Sequence, residues 1–151
     1  MARCEVIFPT ELIEKLDSLQ QRGEDIALKA LDEAAPIYED ALKRELQKHD
    51  KTGQLSKSIK RTKPKKFKGS IGAYYTVIRP TGKSNSTKPY SHIGAYERKE
   101  PYRNMEKLAD LELGVRGRQP ATPIMTRVTN SCQSQVFEKM DEVITKEIEA
   151  T

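Results

Sequence analysis

Residues 49–61 read His-Asp-Lys-Thr-Gly-Gln-Leu-Ser-Lys-Ser-Ile-Lys-Arg, and the reading of the fold turns on them. Before this stretch, apolar residues recur at helical spacing (Leu31, Ala34, Tyr38, Ala41, Leu42, Leu46); after it the period is that of a strand. Gly53 stands where the backbone must reverse, because glycine takes positive φ past a helix end at little steric cost. Leu55 and Ile59 are the large apolar side chains of a polar neighbourhood, so they are expected to anchor this crossing against a core. Thr52 and Ser58 complete its turn.

Toward the N-terminus, residues 10–48 read as helical in two pieces. Thr10 is a candidate N-cap for a short helix with Leu12, Ile13, Leu16 and Leu19, closed by Gly23. A longer helix then runs from Glu24 to about Lys48, and Pro36 predicts a bend or a break close to Ala35. Small residues along it (Ala27, Ala30, Ala34, Ala35, Ala41) would let another backbone come close. Residues 1–9 read as an arm: Cys4 to Phe8 alternates loosely and stops at Pro9, the pattern of a short strand lying on something else.

Toward the C-terminus, residues 58–79 carry the strand signal in Ser58–Thr62, Lys65–Gly72 and Tyr74–Arg79, with Ile59, Phe67, Ile71, Tyr75, Val77 and Ile78 among polar neighbours. Residues 80–107 are poor in aliphatics and rich in turn formers, a long loop in which Tyr90, Tyr96 and Tyr102 are candidate partner anchors. Residues 108–122 return as an extended segment, with Leu108–Leu113 as a short strand or a turn of helix. Thr122 and Pro123 then form a helix start, N-cap followed by proline at the first position. In the final helix, residues 123–149, apolar residues follow at spacings of three and four: Ile124, Val128, Cys132, Val136, Met140, Val143 or Ile144, and Ile148. At 1.5 Å per residue, about 25 residues of it make a rod on the order of 37 Å. The expected fold is α+β: two long amphipathic helices and a short N-terminal one packed on a small antiparallel sheet, as a single domain of residues 1–151.

Hydrophobic residues make up 36% of the chain against 32% charged and 6% aromatic, with no tryptophan, a lean core that favours assembly. Between Lys43 and Lys68 stand eleven basic residues and two acidic ones, whereas the remainder of the chain is net acidic despite an overall charge of +5. A two-signed molecule of this kind suits either nucleic acid or head-to-tail contact between identical subunits. Cys4 and Cys132 are too few for a disulfide framework, which points to a reducing compartment. The first residues lack the long apolar run of a secretory signal, and no run of eighteen apolar residues occurs, so neither secretion by that route nor a membrane span is expected.

Catalytic and cofactor patterns fail on their details. Gly82-Lys83-Ser84 ends like a phosphate-binding loop, but Val77 occupies the position where the first glycine must be. His49 and His92 lack ligands at metal spacing, and no Gly-x-Ser-x-Gly elbow is present. Carboxylate pairs such as Glu33 with Glu39 lie where a helix surface needs charge anyway. The reading is of a protein that is not an enzyme and binds no metal or other cofactor.

The order of these signals resembles a known family. Lys29-Ala30-Leu31, Glu33-Ala34-Ala35-Pro36-Ile37, Ala41-Leu42-Lys43 and Lys51-Thr52-Gly53-Gln54-Leu55-Ser56-Lys57-Ser58-Ile59 resemble the small tail-completion proteins of long-tailed double-stranded DNA bacteriophages, which join tail to head. Leu111-Glu112-Leu113-Gly114, then Gln119-Pro120-Ala121-Thr122-Pro123-Ile124-Met125, is similar to that family's Glu-x-Gly turn and the proline-rich lead into its last helix. Two departures are the tyrosine-bearing excursion and Ile124, where the family often has an aromatic.

The resemblance implies a structural virion protein, assembled in the bacterial host cytoplasm. It would form a homo-oligomeric ring at the neck or the top of the tail tube, in contact with head, neck and tail-tube proteins. The residues expected to fix its turns are Thr52, Gly53, Leu55, Ser58 and Ile59, then Glu112, Gly114, Pro120, Pro123 and Ile124. If such a ring surrounds the DNA path, Lys57, Lys60, Arg61, Lys63, Lys65, Lys66 and Lys68 are candidates to line it, touching phosphates without reading sequence, or to meet an acidic partner. The alternative reading is a free-standing basic module that binds nucleic acid without sequence preference.

Overall fold

The computed structural model describes residues 10–50, 52–68, 72–84, 101, 103–115 and 119–150. The chain is α+β, with two long helices and small antiparallel ladders. Helix α1 spans Thr10–Gln47 and α4 spans Ile124–Glu149; between them come the single turn α2 (Gln54–Lys57), strands β1 (Ile59–Arg61), β2 (Lys65–Lys66), β3 (Tyr74–Tyr75) and β4 (Ile78–Pro80), and helix α3 (Asn104–Leu113).

The first 38 helical residues are one helix, not the two that Gly23 suggests. Gly23 is not among the glycines with positive φ, so it does not cap anything. A glycine inside a helix costs about 0.5–1 kcal/mol relative to alanine, which the packing of so long a helix offsets. Pro36 does not break α1 either. The flanking Ala30, Ala34, Ala35, Ala41 and Leu42 are all buried, so contact with the rest of the molecule holds the helix through the proline. What Pro36 does is remove the N–H that would bond the Asp32 carbonyl one turn earlier. That oxygen instead accepts a hydrogen bond of 2.6 Å from Arg61 Nη1.

α1 packs most extensively against α4. Arg22 and Lys29 pair with Glu147, Tyr38 meets Thr129, and Arg127 approaches Glu45. Partners that rise along one helix fall along the other, so the two helices are antiparallel. Their seam is the core: Ala41, Leu42 and Leu46 from α1, Ile124, Val128 and Cys132 from α4, closed by Leu55, Ile59 and Leu108. Val143 is buried further along α4, while Phe137 and Ile148 are about half exposed.

The strands are shorter than the sequence suggests and form two separate ladders. β1 pairs with β4 (Ile59 opposite Pro80, Lys60 opposite Arg79, Arg61 opposite Ile78), and β2 pairs with β3 (Lys65 opposite Tyr75, Lys66 opposite Tyr74). Facing pairs share a side of the ladder, so Ile59 and Pro80 point inward and Lys60 and Arg79 outward.

Residues 104–113, read from sequence as loop up to 107 and then as a short strand or a turn of helix, form one helix. Two long-range bonds start that helix: the Asn104 N–H donates to Gly82 O at 3.0 Å and its side-chain amide to Thr81 O at 2.7 Å. The Glu106 carboxylate reaches back to the Arg103 N–H, which satisfies one more donor of the first turn. No single window of sequence contains Asn104 together with Gly82 and Thr81.

Candidate assembly interface

The crossing after α1 is organised by Asp50. One carboxylate oxygen accepts the Thr52 N–H and hydroxyl, the other accepts the N–H groups of Leu55 and Ser56, so the side chain caps α2 from outside it. Burial pushes the Asp50 carboxyl up, but the bonds from Ser56, Thr52 and Leu55 together outweigh it and leave the group below its ordinary value. Gly53 follows with φ 66° and ψ 7°, the left-handed region. Leu55 and Ile59 then enter the core, and the Ser58 carbonyl accepts both the N–H and the hydroxyl of Thr81. Thr52 stays exposed. The crossing is thereby tied to β4, and through Thr81 and Asn104 to α3.

A second knot ends at α4. The Thr122 N–H donates to Leu111 O at 2.8 Å, and Val115 and Gln119 exchange two backbone bonds. Gly114 has φ 73°, and a Cβ placed there would lie 2.5 Å from the Ala121 nitrogen, so only glycine fits. The cap expected from Thr122 is supplied elsewhere: Glu112 Oε2 accepts the Met125 N–H at 3.0 Å, a carboxylate at the positive end of the helix. Ile124 is fully buried, while Pro120 and Pro123 are exposed.

The basic run divides in two. Arg61 lies against α1, near Asp32 Oδ1 (3.4 Å) and Glu39 Oε2 (3.9 Å), and Lys66 pairs with Glu24 at 2.8 Å. The hydrogen bond to Glu24 raises the Lys66 pKa. Lys57, Lys60, Lys63, Lys65 and Lys68 are exposed. Lys60 and Arg79 face each other across β1 and β4, both solvent-exposed, with no carboxylate partner among the described residues. Beside this ribbon, Phe67 and Tyr75 form an exposed edge-to-face pair with ring centroids 5.9 Å apart. Tyr90, Tyr96 and Tyr102 lie outside the described residues.

On another side, an open groove of about 400 Å³ runs between the two long helices and the chain entering β4. Leu31, Ala34, Ala35 and Tyr38 form one wall, Val136 and Met140 another, and Thr76, Val77 and Ile78 the third. It is lined almost wholly by carbon, and its titratable side chain is a tyrosine. Among the described residues no cluster of His, Cys, Asp or Glu could hold a metal ion, and no helix is long and apolar enough to cross a membrane. Cys132 is buried as a free thiol, and burial raises its pKa against the opposing effect of Arg44, the setting of an inert cysteine.

Sequence reasoning pointed to Gly53, Leu55, Ile59, Glu112 and Gly114 but passed over Asp50 and Arg61 as structural centres. An Asp three residues before the glycine of a turn was the available signal for the first. A proline inside a helical pattern, with an arginine beyond the turn, was the only one for the second. The apolar groove, built from three distant segments, had none.

A protein-family model described as "Bacteriophage HK97-gp10, putative tail-component" matches residues 10–94, more than half of the chain. The match takes in α1, the Asp50 crossing and all four strands; the Glu112–Gly114 turn and α4 lie beyond it. Neither a search of curated proteins nor one of solved structures finds a match.

Proposed function

This chain belongs to the HK97-gp10-like family of bacteriophage tail components, and from that premise we propose that it completes the tail as a subunit of a ring at the neck or the top of the tail tube. It is a structural protein of the phage tail, and its place is the virion. On the proposed reading it assembles in the host cytoplasm, contacts head, neck and tail-tube proteins, and works by fit alone, with no catalysis.

The observation that carries this reading is the family match across α1 and the strand region. Two features of the molecule support it. Its small core leaves Leu113, Phe137, Met105 and Phe67 more than half exposed, surface that assembly would cover. Its charge is segregated, with basic side chains on the β ribbon and acidic ones concentrated elsewhere, an arrangement suited to heterologous packing of identical subunits into a closed ring.

The facing Lys60 and Arg79 favour a second role within the same assembly, contact with the phosphates of DNA passing through the ring. Deleting the gene tests the principal reading: lysates should then hold filled heads and tails that fail to join, and in wild-type lysates the protein should sediment with finished particles. A protein absent from purified virions and tails would overturn it.

A further inference from the structure

The outer face of the β2–β3 ladder carries charge and apolar area that the described residues leave uncovered. Facing pairs share a side of a ladder, so Lys66 and Tyr74 lie on one side and Lys65 and Tyr75 on the other. The first side turns to the body of the molecule, where Lys66 pairs with Glu24 of α1 and Tyr74 is half-buried. The pairing continues through Phe67, whose N–H donates to Ala73 O at 2.8 Å, and alternation puts Phe67 on the outer side with Lys65. There its ring meets that of Tyr75 edge to face, both exposed. Lys65 stands beside them and Lys68 just beyond, both exposed and neither ion-paired among the described residues.

The last turns of α4 carry the complement. At about 100° per residue, Phe137, Glu138, Asp141, Ile148 and Glu149 fall within a sector of roughly 120°, away from the buried Val143. All of them are exposed, and Glu138, Asp141 and Glu149 have no cationic partner among the described residues. Lys139 is held by Glu142 at 2.9 Å, and Lys146 falls outside the sector. An aromatic pair bordered by lysines is thus matched, elsewhere on the same chain, by an apolar stripe bordered by carboxylates.

Duplex DNA would satisfy neither surface. Its phosphates could meet the lysines but would leave the two rings bare, and the carboxylates of α4 repel it. Ladder against ladder, or α4 against α4, sets like charge on like charge. Among the surfaces of this chain, ladder against helix is the pairing that covers both. The lengths agree: residues 65–68 span about 10 Å of extended chain, within the stripe of about 16 Å from Phe137 to Ile148. We propose that the Lys65, Phe67 and Tyr75 face of one copy docks on the Phe137 to Ile148 face of α4 in a neighbouring copy, rings on the apolar stripe and lysines against Glu138, Asp141 and Glu149. The inference rests on the proposed assembly of identical subunits and names the contact that links them. Because the two faces differ, the contact is heterologous and closes into a ring when the rotation per subunit allows it. Lys60 and Arg79 belong to the other ladder and take no part.

Two charge-reversed forms of the full chain test it, Lys65→Glu with Lys68→Glu and Glu138→Lys with Asp141→Lys. The four side chains are exposed, so both forms should melt close to wild type. Each alone should self-associate at least about tenfold more weakly than wild type in sedimentation. An equimolar mixture should recover wild-type association, because every ladder then finds a helix of opposite sign. A second measurement needs no substitution: wild-type protein, half of it labelled with heavy nitrogen, is treated with a zero-length carbodiimide. Dimers and higher species should form in which Lys65 or Lys68 of one isotope is joined to Glu138, Asp141 or Glu149 of the other. Unaltered association of the separate variants, a mixture that stays dissociated, or cross-links at other positions only would each overturn the inference. So would a wild-type chain that stays monomeric, or Phe67 and Tyr75 found covered by DNA or by another tail protein. None of these results bears on whether the protein belongs to the tail, which particle fractionation decides separately.

Discussion

Arg61 Nη1 donates to the main-chain carbonyl oxygen of Asp32 at 2.6 Å, and that oxygen is the one Pro36 deprives of its helical partner. The β ribbon thus completes a hydrogen bond of α1. Hydrogen bonds from a charged donor contribute about 1.5–3 kcal/mol, and Arg61 is 27% exposed, so the low end applies. Arg61→Met should cost roughly 1–2 kcal/mol in urea unfolding. In a Pro36→Ala background the restored N–H satisfies Asp32 without help, and the cost of Arg61→Met should fall to about half or less, the remainder being the ion pairs to Asp32 and Glu39. Strictly additive effects in this cycle would show that Arg61 does not serve the proline gap.

The two turn glycines should differ in their tolerance. At Gly53 an added Cβ meets nothing closer than Lys57 Cε at 3.9 Å, so Gly53→Ala carries only the left-handed backbone cost, about 1–2 kcal/mol. At Gly114 the same atom would strike the Ala121 backbone at 2.5 Å, so Gly114→Ala must displace the chain leading into α4. Its cost should exceed about 3 kcal/mol, the upper range for local backbone strain alone. Thermal melting of both variants checks the ranking, and equal shifts would contradict it.

Asp50 ties stability to pH. Its folded pKa lies below the ordinary value, so the stabilisation is fully present above the unfolded pKa and is lost as pH falls through the folded one. Asp50→Ala should remove a cap worth about 1 kcal/mol near neutral pH. The difference in melting temperature between wild type and variant should narrow on acidification below about pH 4, the ordinary aspartate range. A difference that stays constant down to about pH 2, well below that range, would mean that the carboxylate's charge is irrelevant to the crossing.

What was legible in the sequence was whatever one segment decides by itself. The apolar stripe of α4 from Ile124 to Val143 and the helical spacing from Leu31 to Leu46 are local periodicities, and both helices stand. Gly53 was readable because a reversal after a helix demands positive φ. Features decided by distant partners were not readable. Gly23 resembles a stop until α4 is packed alongside; Pro36 resembles a break until Arg61 supplies the missing donor. The start of α3 depends on Gly82 and Thr81, and the cap of α4 comes from Glu112. The charge run between Lys57 and Lys68 was countable, but not the way Glu24, Asp32 and Glu39 draw Lys66 and Arg61 out of it.

Lys60 and Arg79 are directly opposite on the exposed face of the β1 and β4 ladder. Like charges in that position destabilise a sheet, and opposite charges stabilise it, each by about 0.2–1 kcal/mol. Lys60→Glu should therefore raise the stability of the isolated protein by a few tenths of a kcal/mol or more in low salt, an effect that fades as salt is added. If the ribbon faces DNA in the assembled tail, the same substitution should weaken retention of the protein on duplex DNA and flatten the salt dependence by about one contact per charge removed. Infectivity separates the two uses of the patch. A variant that is more stable, still enters particles and yet lowers the yield of infectious phage identifies the two charges as contacts kept for DNA. A variant that is more stable and fully infectious leaves them as solvated surface, and the lining of the ring must then be sought on another face.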